Sequence, residues 1–383
     1  MFHCVLAFAF ILPALIVSGQ NSSDWSKNGG GSWTTSGNWD SGVADGADET
    51  ASFGFFSVPT TLTTTLDGAR TIGSLDFTGT TGYTWTLSTG SGGPLTLDDD
   101  IDAYSSITVF NANQTVLISV VITGTNGLQK LNDGTLILTA TNTYTGGTLI
   151  GDVGIDGGVF IVNGAITDPL TLTNFSGTLG GTGVISSPVV VAAGAVLAPG
   201  NAAIGTLSIS NSLTLLPKSK TLMDISASTS AHSAIQGLSA ISYNGTLIVS
   251  NLAGSPAFGQ SFSLFNGATA TAGNFTNITP QLTSGLRWRF NPSTGVLTAV
   301  STTSQPQIAG INQSGANAIL RIVNGAPAVT NYTIVATNLA TPLANWSRIA
   351  TNIFDVSGSL LFTNVISTTT PQRFYRLLVP PQN

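Results

Sequence analysis

The chain has 383 residues, of which 42% are hydrophobic and only 7% are charged, with a net charge of −6. An ordinary soluble domain contains about 25% charged residues, and here Gly, Ser, Thr and Asn take their place. This composition supplies enough apolar surface for a large core, which excludes a disordered chain. It also disfavours long helices, because charged helix formers are scarce.

Acidic and basic residues are unevenly distributed along the chain. Residues 1–200 include fifteen acidic and three basic residues, whereas residues 201–383 include two acidic and eight basic residues. The basic residues of the second half are scattered, so the pattern disfavours nucleic-acid binding. Three interpretations stay open: end-to-end association, binding to charged glycans, and an unselected by-product.

The first residues, "MFHCVLAFAFILPALIVSGQ", are mostly apolar from Val5 to Val17. Because this stretch is shorter than the roughly 20 residues of a membrane-spanning helix, it predicts a secretory signal peptide over residues 1–19. An N-terminal membrane anchor is the alternative. The predicted mature chain has no cysteine, so we expect a secreted or cell-surface protein without disulfides and without a membrane span.

From residue 127 the sequence alternates short apolar runs with turns, and Gly-Thr-Leu recurs along it, as in "GTLILTATNTYTGGTLIGD" (134–152). The runs come about every 8 to 15 residues, without helical periodicity. This pattern predicts an all-β fold, a β-solenoid in which each coil is stable only when stacked on its neighbours. A β-sandwich is the alternative. Leu136, Leu138 and Leu149 are predicted core residues.

One segment, "GLQKLNDGTLILTATNTYTGGTLI" (127–150), resembles the autotransporter-associated β-strand repeat of bacterial surface passengers. The resemblance continues to about residue 300 through "GTLGGTGVISSPVVVAAGAVLAPGNAAIGTLSI" and "GQSFSLFNGATATAGNFTNITP". It implies a right-handed parallel β-helix on a cell surface, associated with the outer membrane, and it implies no reaction.

The segments that flank the repeat have different patterns. After the linker "STTSQPQ", six short predicted strands are typical of a small fibronectin- or immunoglobulin-like sandwich, with Trp346 and Tyr375 in its core. The predicted organisation is a signal peptide (1–19), an N-terminal cap with the first solenoid coils (20–126), the repeat-bearing solenoid (127–300), a linker (301–307) and a β-sandwich (308–383).

Three tryptophans near the start of the predicted mature chain are candidate ligand-binding residues. Trp25, Trp33 and Trp39 are spaced among glycines in "DWSKNGGGSWTTSGNWDSG". Their rings could stack on sugar rings of a glycan. The alternative is that they cap the open end of the solenoid core, which would otherwise expose apolar surface and strand edges.

The segment "LTLDDDIDAY" is the dense acidic cluster of the sequence. Since alternate residues of a strand share a face, Asp98, Asp100 and Asp102 are predicted to point the same way. Their carboxylates form a candidate calcium site. The alternatives are a site for polysaccharide cleavage and a solvated turn, and no other cofactor is predicted.

Other catalytic chemistry has little support in the sequence. The predicted mature chain has one histidine, His232, and no cysteine, which disfavours a zinc site and a Ser-His-Asp triad. No catalytic residue is predicted. We expect a non-enzymatic adhesin or envelope structural protein whose partners are extracellular glycans or cell surfaces. The alternatives are a polysaccharide lyase or glycoside hydrolase on a β-helix, and a carbohydrate-binding module.

Overall fold

The structure, a computed structural model, describes residues 22–54, 61–79, 82–200, 203–283, 285–302, 306–325, 330–355, 358–366, 369 and 372–378. Within these ranges the chain consists of β-strands and two 3₁₀ turns, Ser36–Asn38 and Leu343–Asn345. No helix there has the length and apolar character needed to cross a membrane. The predicted signal peptide and residues 303–305 of the predicted linker lie outside the described residues.

Most strands of the first 279 residues belong to three parallel sheets. In chain order the strands are β1 (Ser22–Asp24), β2 (Gly31–Ser32), β3 (Gly46–Phe53), β4 (Thr61–Thr65), β5 (Arg70–Phe77), β6 (Thr84–Ser88), β7 (Leu95–Leu97), β8 (Tyr104–Val109), β9 (Thr115–Ile118), β10 (Ile122–Gly124), β11 (Gly127–Leu131), β12 (Thr135–Leu138), β13 (Thr141–Asn142), β14 (Thr148–Ile150), β15 (Val159–Val162), β16 (Ala165–Ile166), β17 (Leu172–Asn174), β18 (Thr178–Gly181), β19 (Val184–Ile185), β20 (Val189–Val191), β21 (Val196–Pro199), β22 (Thr206–Ile209), β23 (Ser212–Leu215), β24 (Lys220–Ile225), β25 (Ala234–Gln236), β26 (Ala240–Tyr243), β27 (Thr246–Asn251), β28 (Ser261–Ser263), β29 (Ala270–Gly273) and β30 (Asn277–Thr279).

The strands after residue 280 pair in antiparallel fashion. They are β31 (Leu286–Asn291), β32 (Val296–Ser301), β33 (Gln307–Ser314), β34 (Asn317–Val323), β35 (Thr330–Ala336), β36 (Ser347–Ile353), β37 (Leu360–Val365) and β38 (Phe374–Leu378).

The three parallel sheets are the faces of a solenoid. Sheet A has 13 strands in the order β1-β3-β5-β8-β11-β14-β17-β20-β23-β26-β29, with β7 and β10 attached beside β5; sheet B has 11, in the order β2-β4-β6-β9-β12-β15-β18-β21-β24-β27-β30; sheet C has five, in the order β13-β16-β19-β22-β25. The stretch "GTLILTATNTYTGGTLIGD" provides one strand to each face, β12, β13 and β14. The predicted all-β, parallel β-helix fold is therefore confirmed.

Apolar side chains stack in register along the inside of the solenoid. Leu136 lies between Val116 of the preceding coil and Phe160 of the next, and all three are fully buried. Full burial of each such side chain contributes about 1.5–3 kcal/mol. Leu138 is also buried, as predicted, but the prediction for Leu149 is wrong. In β14 it is the neighbours Thr148 and Ile150 that face inward.

Glycines at one corner let adjacent coils approach to backbone contact. A Cβ atom on Gly164 would lie 2.1 Å from the carbonyl oxygen of Ala140, and one on Gly183 would lie 2.1 Å from the carbonyl oxygen of Gly164. Any larger residue would therefore push two coils apart. These glycines therefore permit close stacking of the coils at this corner.

Buried polar side chains bridge neighbouring coils. The Nδ2 of Asn142 donates to the carbonyls of Ala140 and Ala165, while its Oδ1 accepts from the Ile122 amide. The Nζ of Lys130 donates to the carbonyls of Leu131, Asn132 and Gly157 at 2.7–3.1 Å. Burial lowers the pKa of Lys130 to about 7, and nearby Asp156 and Asp133 act in the opposite direction.

Both ends of the solenoid core are closed by aromatic rings. At the C-terminal end the antiparallel sheet β28-β32-β31 covers the last coils. The Tyr243 ring lies 4.9 Å from Phe290 and 5.2 Å from Phe265, and the Phe275 ring lies 5.0 Å from Phe290. The N-terminal end is closed by the tryptophans described below.

The last six strands form two three-stranded antiparallel sheets, β33-β34-β37 and β36-β35-β38. Their buried residues include Leu320 and Ile322 of β34 and Ile334 of β35. Trp346 and Tyr375, predicted as core residues, are only half-buried. They line a surface groove instead.

Candidate functional site

The three N-terminal tryptophans are buried at the end of the solenoid. Trp25 and Trp33 are 0% exposed and Trp39 is 4% exposed. The Trp39 ring lies 5.1 Å from Trp25 and 5.0 Å from Trp33, and Phe53 packs against all three. In this structure the rings present no open face to a sugar. Their burial favours the capping interpretation over glycan stacking.

The indole N–H groups explain how three polar rings are held inside. The Nε1 atoms of Trp25, Trp33 and Trp39 donate to the carbonyls of Gly29, Ala44 and Trp33 at 3.0, 2.8 and 2.8 Å. Each buried donor therefore has a partner, which removes the cost of burying it. These rings are part of the fold rather than a binding surface.

The predicted calcium residues do not converge. Strand β7 ends at Leu97, so Asp98, Asp100 and Asp102 lie in a loop where strand alternation does not apply. Asp100 and Asp102 are exposed, and Asp98 is half-buried. Across the described ranges, no three His, Cys, Asp or Glu side chains are arranged to hold a metal ion.

The loop is instead held by hydrogen bonds to the backbone. Asp99, which is buried, accepts from the amides of Ile101 and Asp102 at 2.9 Å through Oδ1. The Nδ2 of Asn126 donates to the carbonyls of Asp99 and Asp102. The cluster therefore shapes a corner of the solenoid.

This loop forms one wall of a groove of about 670 Å³ on the outside of sheet A. We call it the acidic groove. Its described lining is polar over most of its length, contains four carboxylates and includes no Lys, Arg or His. The lining residues are Thr50, Ser74, Asp76, Asp99, Asp102, Ala103, Tyr104, Ser106, Thr108, Phe110, Gln129, Leu131, Leu149 and Asp152.

The register of sheet A brings these residues together. Asp76 pairs with Thr108 of the next coil, and Ser106 pairs with Gln129. The Gln129 amide donates to Asp152 at 3.3 Å. Outward positions of strands that are 20 or more residues apart thus line a continuous surface, which no single sequence motif reveals. Leu149, predicted to be in the core, is one of them.

Asp76 is a half-buried carboxyl group in the groove. Burial raises its pKa, while a hydrogen bond from the Thr108 hydroxyl opposes that rise. A carboxyl surrounded by Ser, Thr, Tyr and Gln side chains is suited to hydrogen bonding with hydroxyl or amine groups of a ligand. The groove offers carboxylates and neutral hydrogen-bonding groups to a ligand.

Among the described residues, His232 contacts a backbone carbonyl and an aromatic ring. Its Nδ1 lies 3.0 Å from the Ser230 carbonyl oxygen, and its ring meets Phe262 edge-on. A triad needs the histidine between a nucleophile and a carboxylate. The contacts of His232 are those of a histidine that packs in a loop.

Comparison with known proteins gives one informative similarity. No protein-family profile matches this chain. Over 202 residues, the chain is 34% identical to a protein named Adhesin BmaC autotransporter, from Brucella suis biovar 1 (strain 1330). The alignment covers 49% of this chain but only 5% of that protein. This chain is thus similar to a small part of an autotransporter adhesin.

Proposed function

We propose that this chain is a non-enzymatic adhesin-like segment displayed at a bacterial surface, where it contacts extracellular glycans or other cell surfaces. The similarity over 202 residues to a protein named as an autotransporter adhesin carries the proposal. The stacked solenoid supports it, because a rigid rod holds binding surfaces away from an attachment point. The C-terminal sheets are proposed as a separate β-sandwich module.

The acidic groove is the proposed contact surface. Its four carboxylates favour ligands that carry positive charge, and its hydroxyl and amide groups favour ligands rich in hydroxyls. Amine-bearing glycans combine both properties. The groove is lined by outward residues of successive strands of sheet A, so a long polymer could extend from it along the neighbouring strands.

The test is retention of glycans by the purified chain. Beads coated with the protein are incubated with labelled oligomers of glucosamine, glucose and galacturonate, and bound label is measured as the ionic strength rises. We expect glucosamine oligomers to be retained most strongly and to be released by salt, because exposed charges are screened. Labelled oligomers recovered from the beads should have unchanged length.

Two variants separate groove binding from general negative charge. Asp76→Asn combined with Asp152→Asn should reduce glucosamine retention, while Asp224→Asn removes a carboxylate from sheet B and should leave it unchanged. Equal retention by both variants would show that the groove is not the contact surface. Shortening of the oligomers, lost on Asp76→Asn, would show an enzyme and contradict the proposed function.

A further inference from the structure

The C-terminal sheets carry a second groove, far from the acidic groove in sequence and opposite in charge. It measures about 670 Å³ and is lined by apolar, aromatic and arginine side chains. We call it the C-terminal groove. Its described lining residues are Ile311, Leu339, Thr341, Leu343, Trp346, Arg373, Phe374, Tyr375 and Arg376.

The groove follows the edge of strand β38. Phe374, Tyr375 and Arg376 are consecutive, and consecutive side chains of a strand point to opposite faces of the sheet. A groove in contact with all three must therefore lie along the edge of the strand rather than on one face. The loop with Leu339 and Trp346 forms one wall, and Ile311 of β33 forms another.

This edge has unused backbone hydrogen-bonding groups. Strand β38 pairs with β35 alone, in a regular ladder from Phe374 to Leu378. Among the described residues, no backbone hydrogen bond joins β38 to any other segment. Unpaired edges that are neither bulged nor covered are sites where another strand can add to a sheet.

The walls beside the edge carry exposed apolar side chains that peptide side chains could contact. Leu339 is 65% exposed and Leu343 and Ile311 are also exposed, so apolar surface faces the groove without a cover. The Trp346 ring is held by a hydrogen bond of 2.9 Å from its Nε1 to the Thr341 carbonyl. Its orientation is thus fixed before any ligand arrives.

The positive charge of the C-terminal region indicates which kind of peptide the groove would bind. Residues 301–383 contain four arginines and one aspartate, a net charge of +3. Arg348 stacks on the Tyr332 ring, and Arg373 is anchored to the Val365 carbonyl. Arg376 is exposed, and no described carboxylate lies within ion-pair distance of it. The groove therefore favours carboxylates beside the added strand.

The same charge disfavours a second copy as the occupant. Arg376 is the central residue of β38, so symmetric antiparallel pairing of β38 with β38 of another molecule would place the two Arg376 residues opposite each other. Like charges across paired strands are destabilising. We propose that the C-terminal groove binds an extended acidic peptide of a partner protein, which adds as a strand to the edge of β38 and inserts apolar side chains beside Trp346.

The experiment uses the full chain and three dye-labelled peptides, acetyl-(Asp-Xaa)₄-amide with Xaa as Val, Leu or Phe, measured by fluorescence anisotropy. We expect at least one peptide to bind with micromolar affinity. Arg376→Gln should weaken it about tenfold, because the peptide carboxylate loses a charge-assisted hydrogen bond. Arg321→Gln, an exposed arginine on β34 outside the groove, should leave affinity unchanged.

Two further probes test the strand addition on the unmodified protein. Two peptides are compared, one N-methylated at every aspartate and the other at every Xaa. The two sets of N–H groups point to opposite sides of a strand, so one of these peptides cannot complete the ladder with β38 and should lose binding, while the other keeps the N–H groups that pair. Lysine in place of aspartate should also abolish binding. The proposal is overturned if no acidic peptide binds, if both N-methylated peptides bind as tightly as the unmodified one, or if sedimentation shows self-association that Arg376→Gln strengthens. Glycan retention by the acidic groove is independent of these results.

Discussion

The solenoid and the C-terminal sheets differ in how many of their strands are paired on both sides. In the solenoid each inner strand is paired on both sides, and the in-register side chains around Leu136 are fully buried. In the C-terminal sheets only the middle strand of each three is paired on both sides, and Leu361 on β37 is 69% exposed. The inner strands of the solenoid thus have no free edge, whereas each small sheet has two outer strands that, among the described residues, are paired on one side only.

The comparison shows where sequence changes are tolerated. A change inside a coil affects the coils above and below it, because each coil is stabilised by its neighbours. A change on an outer strand of a three-stranded sheet affects one neighbouring strand. The predictions below compare matched substitutions in the two regions, beginning with the largest expected effect.

The largest effect is expected for Gly164→Val. Its Cβ would sit 2.1 Å from a backbone oxygen of the preceding coil, so two coils must separate. We expect a loss of about 3–5 kcal/mol in the free energy of unfolding, measured by urea denaturation with circular dichroism. The matched change, Gly310→Val in β33, has open space around its Cβ and should cost less than about 1 kcal/mol. Equal losses would contradict the contrast.

Truncation of a stacked core residue should have the next largest effect. Leu136→Ala removes a fully buried side chain between two coils and should cost about 2–5 kcal/mol. Leu361→Ala removes an exposed side chain in the C-terminal sheets and should change the unfolding free energy by at most about 0.5 kcal/mol. Both are measured by the same denaturation. A larger loss for Leu361→Ala would indicate that this face is covered.

Lys130 makes the stability of the solenoid depend on pH. Its pKa is about 7 in the folded chain and near its ordinary value when unfolded. Between these values the unfolded chain binds more protons, so the unfolding free energy rises with pH. From pH 7 to 9, wild type should gain about 1 kcal/mol per pH unit relative to Lys130→Met. Lys220→Met, an exposed outward change, should show no such gain. Parallel pH profiles would contradict the prediction.

The smallest effect is expected at Asp67. Hydrogen bonds from Ser32, Thr65 and Ser91 lower the pKa of Asp67 to about 2. The stabilisation they give is complete above the ordinary pKa of an aspartate and is lost as pH falls through about 2. Asp67→Asn should therefore lower the melting temperature slightly at neutral pH, with the difference from wild type shrinking as pH falls from about 4 to about 2. Scanning calorimetry between pH 2 and 7 checks this, and a constant difference would contradict it.

The sequence was sufficient to predict the solenoid because its strands carry the information locally. Alternation in "GTLILTA" places Leu136 and Leu138 on one face, and the structure buries both. The tryptophans were predicted as a cap or as a sugar platform, and only packing with Phe53 distinguishes these alternatives. Leu149 was placed on the wrong face, because the turn before β14 sets which residues of that strand point inward.

The candidate site was not predictable from local patterns. The acidic groove joins Asp76, Gln129 and Asp152, which come from separate coils, and coil lengths vary too much for the register to be known in advance. The acidic cluster was visible as "LDDDID", but strand alternation failed there because the strand ends at Leu97. That β38 is an outer strand depends on the order of the strands in its sheet, and this order cannot be predicted from composition.

The aromatic caps have a mechanical consequence. Hydrogen bonds between coils run along the solenoid axis, so tension on the two ends of the rod loads the terminal coils first and peels them away one at a time. The end coils are those in which Trp25, Trp33, Trp39 and Phe53 interlock, and Tyr243, Phe275 and Phe290 do so at the other end. In the proposed adhesin-like role, we expect these rings to set the force at which the terminal coils begin to unfold.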